Sequence, residues 1–459
     1  MGARKTYFIR TFGCQMNEHD SERMAGMLES EGYSEVEKPD DADVVLFNTC
    51  CIRENADQRL YGNLGHMKAL KTTRPDMRIV VGGCLAQKDR HTIQERAPYV
   101  DVVLGTHNLA SLPRLLAESV EGPAMEILEQ TEVFPSALPA RRNCAWHAWV
   151  SISIGCNNAC TFCIVPAVRG PEVSRRPGEI LGEVEGLIAD GVLEVTLLGQ
   201  NVNSYGRDLE GRPQFSKLLR ALDGVEGLER IRFTSPHPKD FRADTVAAMA
   251  ECTSVCEHIH LPVQSGSDAV LKRMKRAYTR SRYMEKLAMI RDAIPDVAVT
   301  TDIIVGFPGE TEAEFSDTLS LVEQARYDAA YTFQYSPRPM TAAADMPEQL
   351  PKEIVQERYE RLVEAQERIS REQSLNAVGT TQEVLVEGVS KKDATKLTGR
   401  TRTNKLVHFP ANGSEEGTLC SVAITAAHAH FLEGEPVGGP VRAERRPLSL
   451  PLVVGATCS

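Results

Sequence analysis

The sequence predicts an α/β protein in three parts: an N-terminal open, mostly parallel α/β domain, a central partial (β/α) barrel and a small C-terminal antiparallel β-barrel. Three observations carry that reading. Short β-rich runs alternate with amphipathic stretches through residues 6–104, the pattern of an open parallel sheet. The alternation returns over residues 149–334, with enough strand candidates to curve a parallel sheet into an incomplete barrel. From Gly379 short runs alternate apolar and polar residues, with turn residues such as Asn412 and Gly413 between them.

In the first part the strand candidates are 6–11, 43–48, 79–82 and 102–104, with helical stretches at 21–31 and 55–71. In the second they are 149–154, 194–198, 230–234, 258–261, 297–305 and 330–334, with helices at 177–190, 267–276, 281–293 and 310–324. A long charged helix spans 351–373. In the third part the strands are 381–389, 396–403, 405–408 and 418–425. The resulting division is 1–121, a linker at 122–143 punctuated by Pro123, Pro135 and Pro139, the barrel at 144–374, the small barrel at 375–437 and a Pro/Gly-rich tail at 438–459.

The 459-residue length allows about three domains. A 42% apolar fraction suits a folded protein. No apolar run reaches the length of a membrane span, about 18 residues. The N-terminus lacks the pattern of a signal peptide, so the expected compartment is the cytoplasm. The net charge of -11 argues against polyanion binding over the whole surface but leaves room for a local basic patch.

Twelve cysteines are many for a reducing compartment, where metal ligation is a better explanation than a disulfide framework. Cys156, Cys160 and Cys163 have the spacing C-x3-C-x2-C directly after the first barrel strand. Three thiolates so close hold three irons of a [4Fe–4S] cube and leave one open to an outside ligand. The competing reading is a zinc knuckle or buried thiols, but no fourth zinc ligand lies nearby. Cys14, Cys50 and Cys84 each follow a strand candidate of the N-terminal sheet. Parallel strands end on one side, so these three meet in space and make a second three-thiolate set. Cys51 competes with Cys50. Cys252 and Cys256 read as core.

A C-x3-C-x-aromatic-C loop after the first strand of a parallel barrel resembles the radical S-adenosylmethionine superfamily. The order of three domains resembles its methylthiotransferase family over nearly the whole chain. The resemblance rests on 11–17, 48–56, 155–170, 198–206, 232–241 (RFTSPHPKDF), 260–268 (HLPVQSGSD), 301–311 (TDIIVGFPGET) and 335–339 (YSPRP). It implies two [4Fe–4S] clusters, one on Cys14, Cys50 and Cys84 and one on Cys156, Cys160 and Cys163. S-adenosylmethionine would bind the open iron of the second and yield a 5′-deoxyadenosyl radical, with Phe162 near the adenine. The family pattern favours Cys50 over Cys51 because the ligand follows Asn-Thr directly. Cys51 and Ala167 depart from the usual residues. The small barrel resembles a TRAM domain, a tRNA-binding module.

The resemblance implies methylthiolation of C2 of N6-isopentenyladenosine at position 37 of tRNA, next to the anticodon, with two S-adenosylmethionine molecules consumed. It implies an external electron donor and leaves the sulfur source open; a monomer without a membrane partner is expected. Sister branches act on threonylcarbamoyl-adenosine or on an aspartate of a ribosomal protein. An electron carrier is a further alternative, although two incomplete ligand sets speak against it. Gln200, Gln264 and Ser265 follow barrel strands and are candidate cofactor contacts. Lys391, Lys392, Lys396, Arg400, Arg402 and Lys405 crowd one stretch of the small barrel as candidate phosphate contacts. An isopentenyl tip asks for an apolar pocket and a threonylcarbamoyl tip for a cation. The mouth runs at 200–205 and 235–238 carry no cation, with Arg207 and Lys239 just beyond.

Overall fold

The computed structural model describes residues 4–51, 56–129, 134, 138–411 and 413–441. The first unit is a six-stranded parallel sheet of β1 (Thr6–Phe12), β2 (Ser34–Glu35), β3 (Val44–Thr49), β4 (Arg78–Gly83), β5 (Val102–Leu104) and β6 (Ala124–Glu126). Their order is β2-β1-β3-β4-β5-β6. Every residue of β3, VVLFNT, is buried, as a central parallel strand covered on both faces requires. Met24, Leu28, Leu112 and Leu115 cover one face, and Leu60, Leu64, Leu85 and Ile93 cover the other. β6 lies inside the stretch expected to be a linker. Its three residues are too few to show alternation, and it is held by pairing Val102–Leu104 with Ala124–Glu126.

The central unit contains β7 (His147–Ser151), β8 (Ser153–Ile154), β9 (Val173–Ser174), β10 (Glu194–Leu198), β11 (Arg230–Phe233), β12 (His258–His260), β13 (Ala298–Val305) and β14 (Ala329–Gln334). Six of them form two parallel three-stranded sheets, β11-β10-β7 and β12-β13-β14. A bridge between Ile231 and Val255 links the two into one partial barrel. The expected first strand, 149–154, is divided. β7 ends at Ser151, and β8 pairs antiparallel with β9, which turns the chain into the cysteine loop. One face of the strands packs on the helices through Val150, Leu197, Ile231, Ile303 and Val305. The helix Lys352–Leu375 is anchored by Arg358, which donates to buried Glu310 at 3.0 Å.

The third unit is a closed barrel of β15 (Thr381–Val389), β16 (Lys396–Thr401), β17 (Leu406–Pro410), β18 (Leu419–Ala427) and β19 (Leu432–Val441), in the order β15-β16-β17-β19-β18. It is antiparallel except where β17 and β19 run parallel. β19 corrects the expectation of a tail from 438, since residues up to Val441 pair with β18. Gly434, Pro436, Gly438 and Gly439 give this strand a loop-like composition. Its backbone ladder needs no such side chains, and a Cβ at Gly434 would come 2.5 Å from the Ala423 carbonyl. Residues 442–459 of the expected tail lie outside the described residues.

Arginines join the small barrel to the strand N-termini of the partial barrel. Arg230 is completely buried and donates to the carbonyls of Arg400 at 2.9 Å and Glu383 at 3.2 Å, and to the Glu383 carboxylate at 2.8 Å. Arg232 donates to the carbonyls of Thr401 and Arg402, and to Glu194 at 2.9 Å. Arg402 returns the contact through Glu257, at 2.8 Å. The β16–β17 turn thereby seals the lower end of the partial barrel. Replacing Arg230 by Met should loosen this joint, because breaking a buried charged network costs about 3–5 kcal/mol. We expect a thermal unfolding midpoint several degrees lower and faster proteolysis near residues 376–380, both read on the purified variant.

Candidate functional site

The N-terminal cysteines collect at the C-terminal edge of the first sheet. Cys14 caps the helix Gln15–Ser30, Cys50 follows β3, and Cys84 opens the helix Cys84–Asp89. Helix N-termini carry unpaired N–H groups and positive potential, which favour a thiolate. Asn17 and Asn48 tie the edge together, with Asn48 Nδ2 donating to the Asn17 carbonyl at 2.7 Å and to Ser21 Oγ at 2.9 Å. The Cys50 thiol donates a hydrogen bond to Cys14 and, with help from Arg169, pulls the Cys14 thiol down to about 5. Cys51 donates a hydrogen bond to Cys84 and lowers it in the same sense, while Cys51 itself is pushed up. The edge thus carries two thiol pairs, Cys14 with Cys50 and Cys51 with Cys84, where the strand ends predict three cysteines, and Cys51 is tucked against the core beside Cys84.

Arg169 reaches this edge from the central unit. It ends the helix Val165–Arg169, donates to Asp20 at 2.8 Å and contacts Cys84. Burial would lower its pKa, but Cys84 and Asp20 more than compensate and hold it well above the ordinary value. Asp20 Oδ1 and His107 Nδ1 are buried here without a hydrogen-bond partner. The sequence signal for Arg169 is its place a few residues after Cys163, but no spacing rule predicts a partner across domains.

The second trio sits on the loop after β8. Gly155 turns that loop at φ 82, where a Cβ would collide with the Pro171 carbonyl. Its N–H donates to Gln200 Oε1 at 2.5 Å. Asn158 donates to Cys156 Sγ at 3.5 Å, and Arg276 donates to Cys160 Sγ at 3.4 Å. Desolvation pushes the Cys163 thiol up to about 11. Lys239 Nζ donates to Asn158 Oδ1 at 2.6 Å and Arg207 pairs with Asp240 at 2.5 Å, so both cations at the mouth are committed.

Among the described residues no three Cys, His, Asp or Glu side chains are already drawn around one point in metal-holding geometry. The donor chemistry nonetheless suits iron–sulfur ligation. Each site offers soft sulfur donors, Asp20 and His107 leave unmet polar capacity beside the first set, and a guanidinium faces each set to offset thiolate charge.

The other candidate contacts are placed as follows. Phe162 packs against Val270, Met274, Phe307 and Ala343, with Ile304 and Tyr335 alongside. Gln200 holds the cysteine loop through Gly155. Gln264 takes φ 72, and its backbone pairs with β13. Ser265 is fully buried and spends its hydroxyl on Thr318 Oγ1 and the Ser267 N–H, which directs it away from the mouth. His237 is structural: its Nδ1 accepts the Lys239 N–H, and burial pushes it down to about 2. In the small barrel the six basic residues divide. Lys391 and Lys392 are exposed. Lys396 pairs with Glu433 and Arg400 with Glu387. Arg402 and Lys405 pair with Glu257 and Asp328 of the central unit, so they are docking residues rather than a free phosphate surface. Cys252 and Cys256 are core residues.

Three family models match: "Uncharacterized protein family UPF0004" over 6–105, "Radical SAM superfamily" over 150–322 and "TRAM domain" over 376–437. The tRNA-2-methylthio-N(6)-dimethylallyladenosine synthase of Streptomyces viridosporus is 58% identical over 97% of this chain and 90% of its own length. The enzyme of that name from Saccharopolyspora erythraea is 58% identical over 93% of this chain and 89% of its own. Among solved structures, the radical S-adenosylmethionine methyltransferase TsrM of Kitasatospora setae superposes with a TM-score of 0.56 at 13% identity, covering 74% of this chain and 75% of TsrM, a likeness of fold. With the order of the three matched domains and the near-full-length identity in agreement, the chain belongs to the tRNA-2-methylthio-N(6)-dimethylallyladenosine synthase family of radical S-adenosylmethionine enzymes.

Proposed function

We propose that this enzyme replaces the C2 hydrogen of N6-dimethylallyladenosine, next to the anticodon of tRNA, by a methylthio group. The observation that supports the proposal is the contact of Arg169, at the end of the five-residue helix that follows Cys163, with Asp20 and Cys84 at the edge that carries the other cysteines. Cys14, Cys50 and Cys84 would hold one [4Fe–4S] cluster, and Cys156, Cys160 and Cys163 the other. When bound, the clusters and S-adenosylmethionine supply one-electron cleavage, hydrogen removal and delivery of the methylthio group, with electrons from an external donor.

The chain's own residues hold and shield these groups. Gln200 and Lys239 fix the cysteine loop through Gly155 and Asn158. Half-buried Arg276 donates to Cys160, and hydrogen bonds to cluster sulfurs tune reduction potential. Arg207 and Lys239 are paired, which leaves no free cation among them for a carboxylate-bearing N6 substituent and favours the dimethylallyl group. Exposed Lys391 and Lys392 would contact tRNA phosphates. Among the described residues no helix is long and apolar enough to cross a membrane.

The test is reconstituted enzyme with tRNA carrying dimethylallyladenosine, threonylcarbamoyl-adenosine or plain adenosine, followed by nucleoside mass spectrometry. Product should come from the first. Replacing Cys14, Cys50 and Cys84 by Ala should halve the iron content from about eight per chain. That variant should still release 5′-deoxyadenosine but form no methylthio product. Main product from the threonylcarbamoyl tRNA would move the enzyme to the sister branch.

Replacing Lys391 and Lys392 by Ala should flatten the log–log salt dependence of tRNA binding by about one unit for each phosphate no longer neutralised. Filter binding across a salt series reads this. An unchanged slope would return both lysines to a solvated face.

A further inference from the structure

We infer that Tyr331 and Phe333, on the open edge strand of the partial barrel, form the platform that receives the target base and its dimethylallyl group. The inference rests on the substrate reading above and adds the residues that recognise it. β14 ends the sheet order β12-β13-β14 and so lies at its edge. Parallel register pairs Asp302 with Tyr331 and Ile304 with Phe333. Val299, Ile303 and Val305 of β13 face the helix-packed core, so the alternate residues face the lumen. Tyr331 and Phe333 share that lumen face, yet remain 59% and 47% exposed. Large aromatic side chains inside a barrel are ordinarily covered, and here the open edge leaves their rings uncovered.

The lumen wall around them has a polar end and an apolar end. The His260 ring lies against Tyr331 at 5.7 Å in an edge-on contact, and its Nε2 is 3.3 Å from Asp302 Oδ1. Thr300 Oγ1 bridges His258 and His260. At the apolar end Phe333 is the register neighbour of Ile304, which packs with Phe162 of the cysteine loop against the Phe307 cluster. The platform is therefore continuous with the cysteine loop. A splayed purine finds two π-faces here, and the dimethylallyl group finds Ile304 and Phe333. The Asp302 carboxylate can accept from a base N–H and repels a substituent that carries its own carboxylate. That chemistry selects a purine with an apolar N6 group.

The experiment measures fluorescence anisotropy of the full-length protein with labelled anticodon stem–loops carrying dimethylallyladenosine or plain adenosine. Wild type should prefer the modified loop. The double variant Tyr331→Ala/Phe333→Ala should bind the modified loop about tenfold or more weakly. Its ratio of affinities for the two loops should fall toward one. Tyr331→Phe keeps the ring and should retain the preference, and an unchanged unfolding midpoint in the double variant would show that its weaker binding is not a loss of fold. Retained affinity and preference in the double variant, with wild type discriminating, would overturn the platform alone. Absence of preference in wild type would overturn the substrate reading and the platform with it.

Discussion

The buried ion pair between Arg169 and Asp20 is the constraint on which the rest of the arrangement depends. Asp20 stands on the helix that Cys14 caps, and Arg169 ends the short helix that follows Cys163. Their side chains are 1% and 4% exposed. A charge so deeply buried is costly unless its partner is well placed, so the pair tolerates little displacement. Ile164 and Val168 add apolar packing against Leu85 and Cys84. The two cysteine sets come from different domains, but this contact fixes one against the other.

Some of the charge is used inside the molecule, at the joint between its units. Arg230, Arg232 and Arg402 spend their guanidinium groups on backbone carbonyls and carboxylates between the small barrel and the partial barrel. An enzyme with a net charge of -11 thereby commits part of its basic inventory to assembly, while Lys391 and Lys392 of the same stretch stay exposed. The open edge of the partial barrel is the complement of that design. The small barrel closes the lower end, the cysteine loop occupies the upper end, and the gap beside β14 remains for the substrate.

Much of this is legible in the sequence because the signals are local. Alternation locates β10 and β15 to the residue, and the place of Cys14, Cys50 and Cys84 just behind three strands points to one edge. The unread parts depend on partners distant in the chain. β19 is rich in Gly and Pro and is held by pairing with β18 rather than by its own pattern. Arg402 and Lys405 resemble phosphate ligands until Glu257 and Asp328 are placed beside them. Cys51 reads as a departure from the family pattern, yet folding brings it to Cys84. Tyr331 and Phe333 give no sequence signal because an aromatic pair in a strand reads as core, and their exposure follows from where the barrel stops.

On the proposed function, two clusters held by the two cysteine sets would stand beside one another across Val165–Arg169. The most direct measurement is electron paramagnetic resonance of the reduced, reconstituted enzyme, compared with variants lacking one cysteine set or the other. We expect a spectrum broadened by magnetic interaction, which neither variant shows and which the sum of the two variants' spectra does not reproduce. A spectrum equal to that sum would contradict the arrangement.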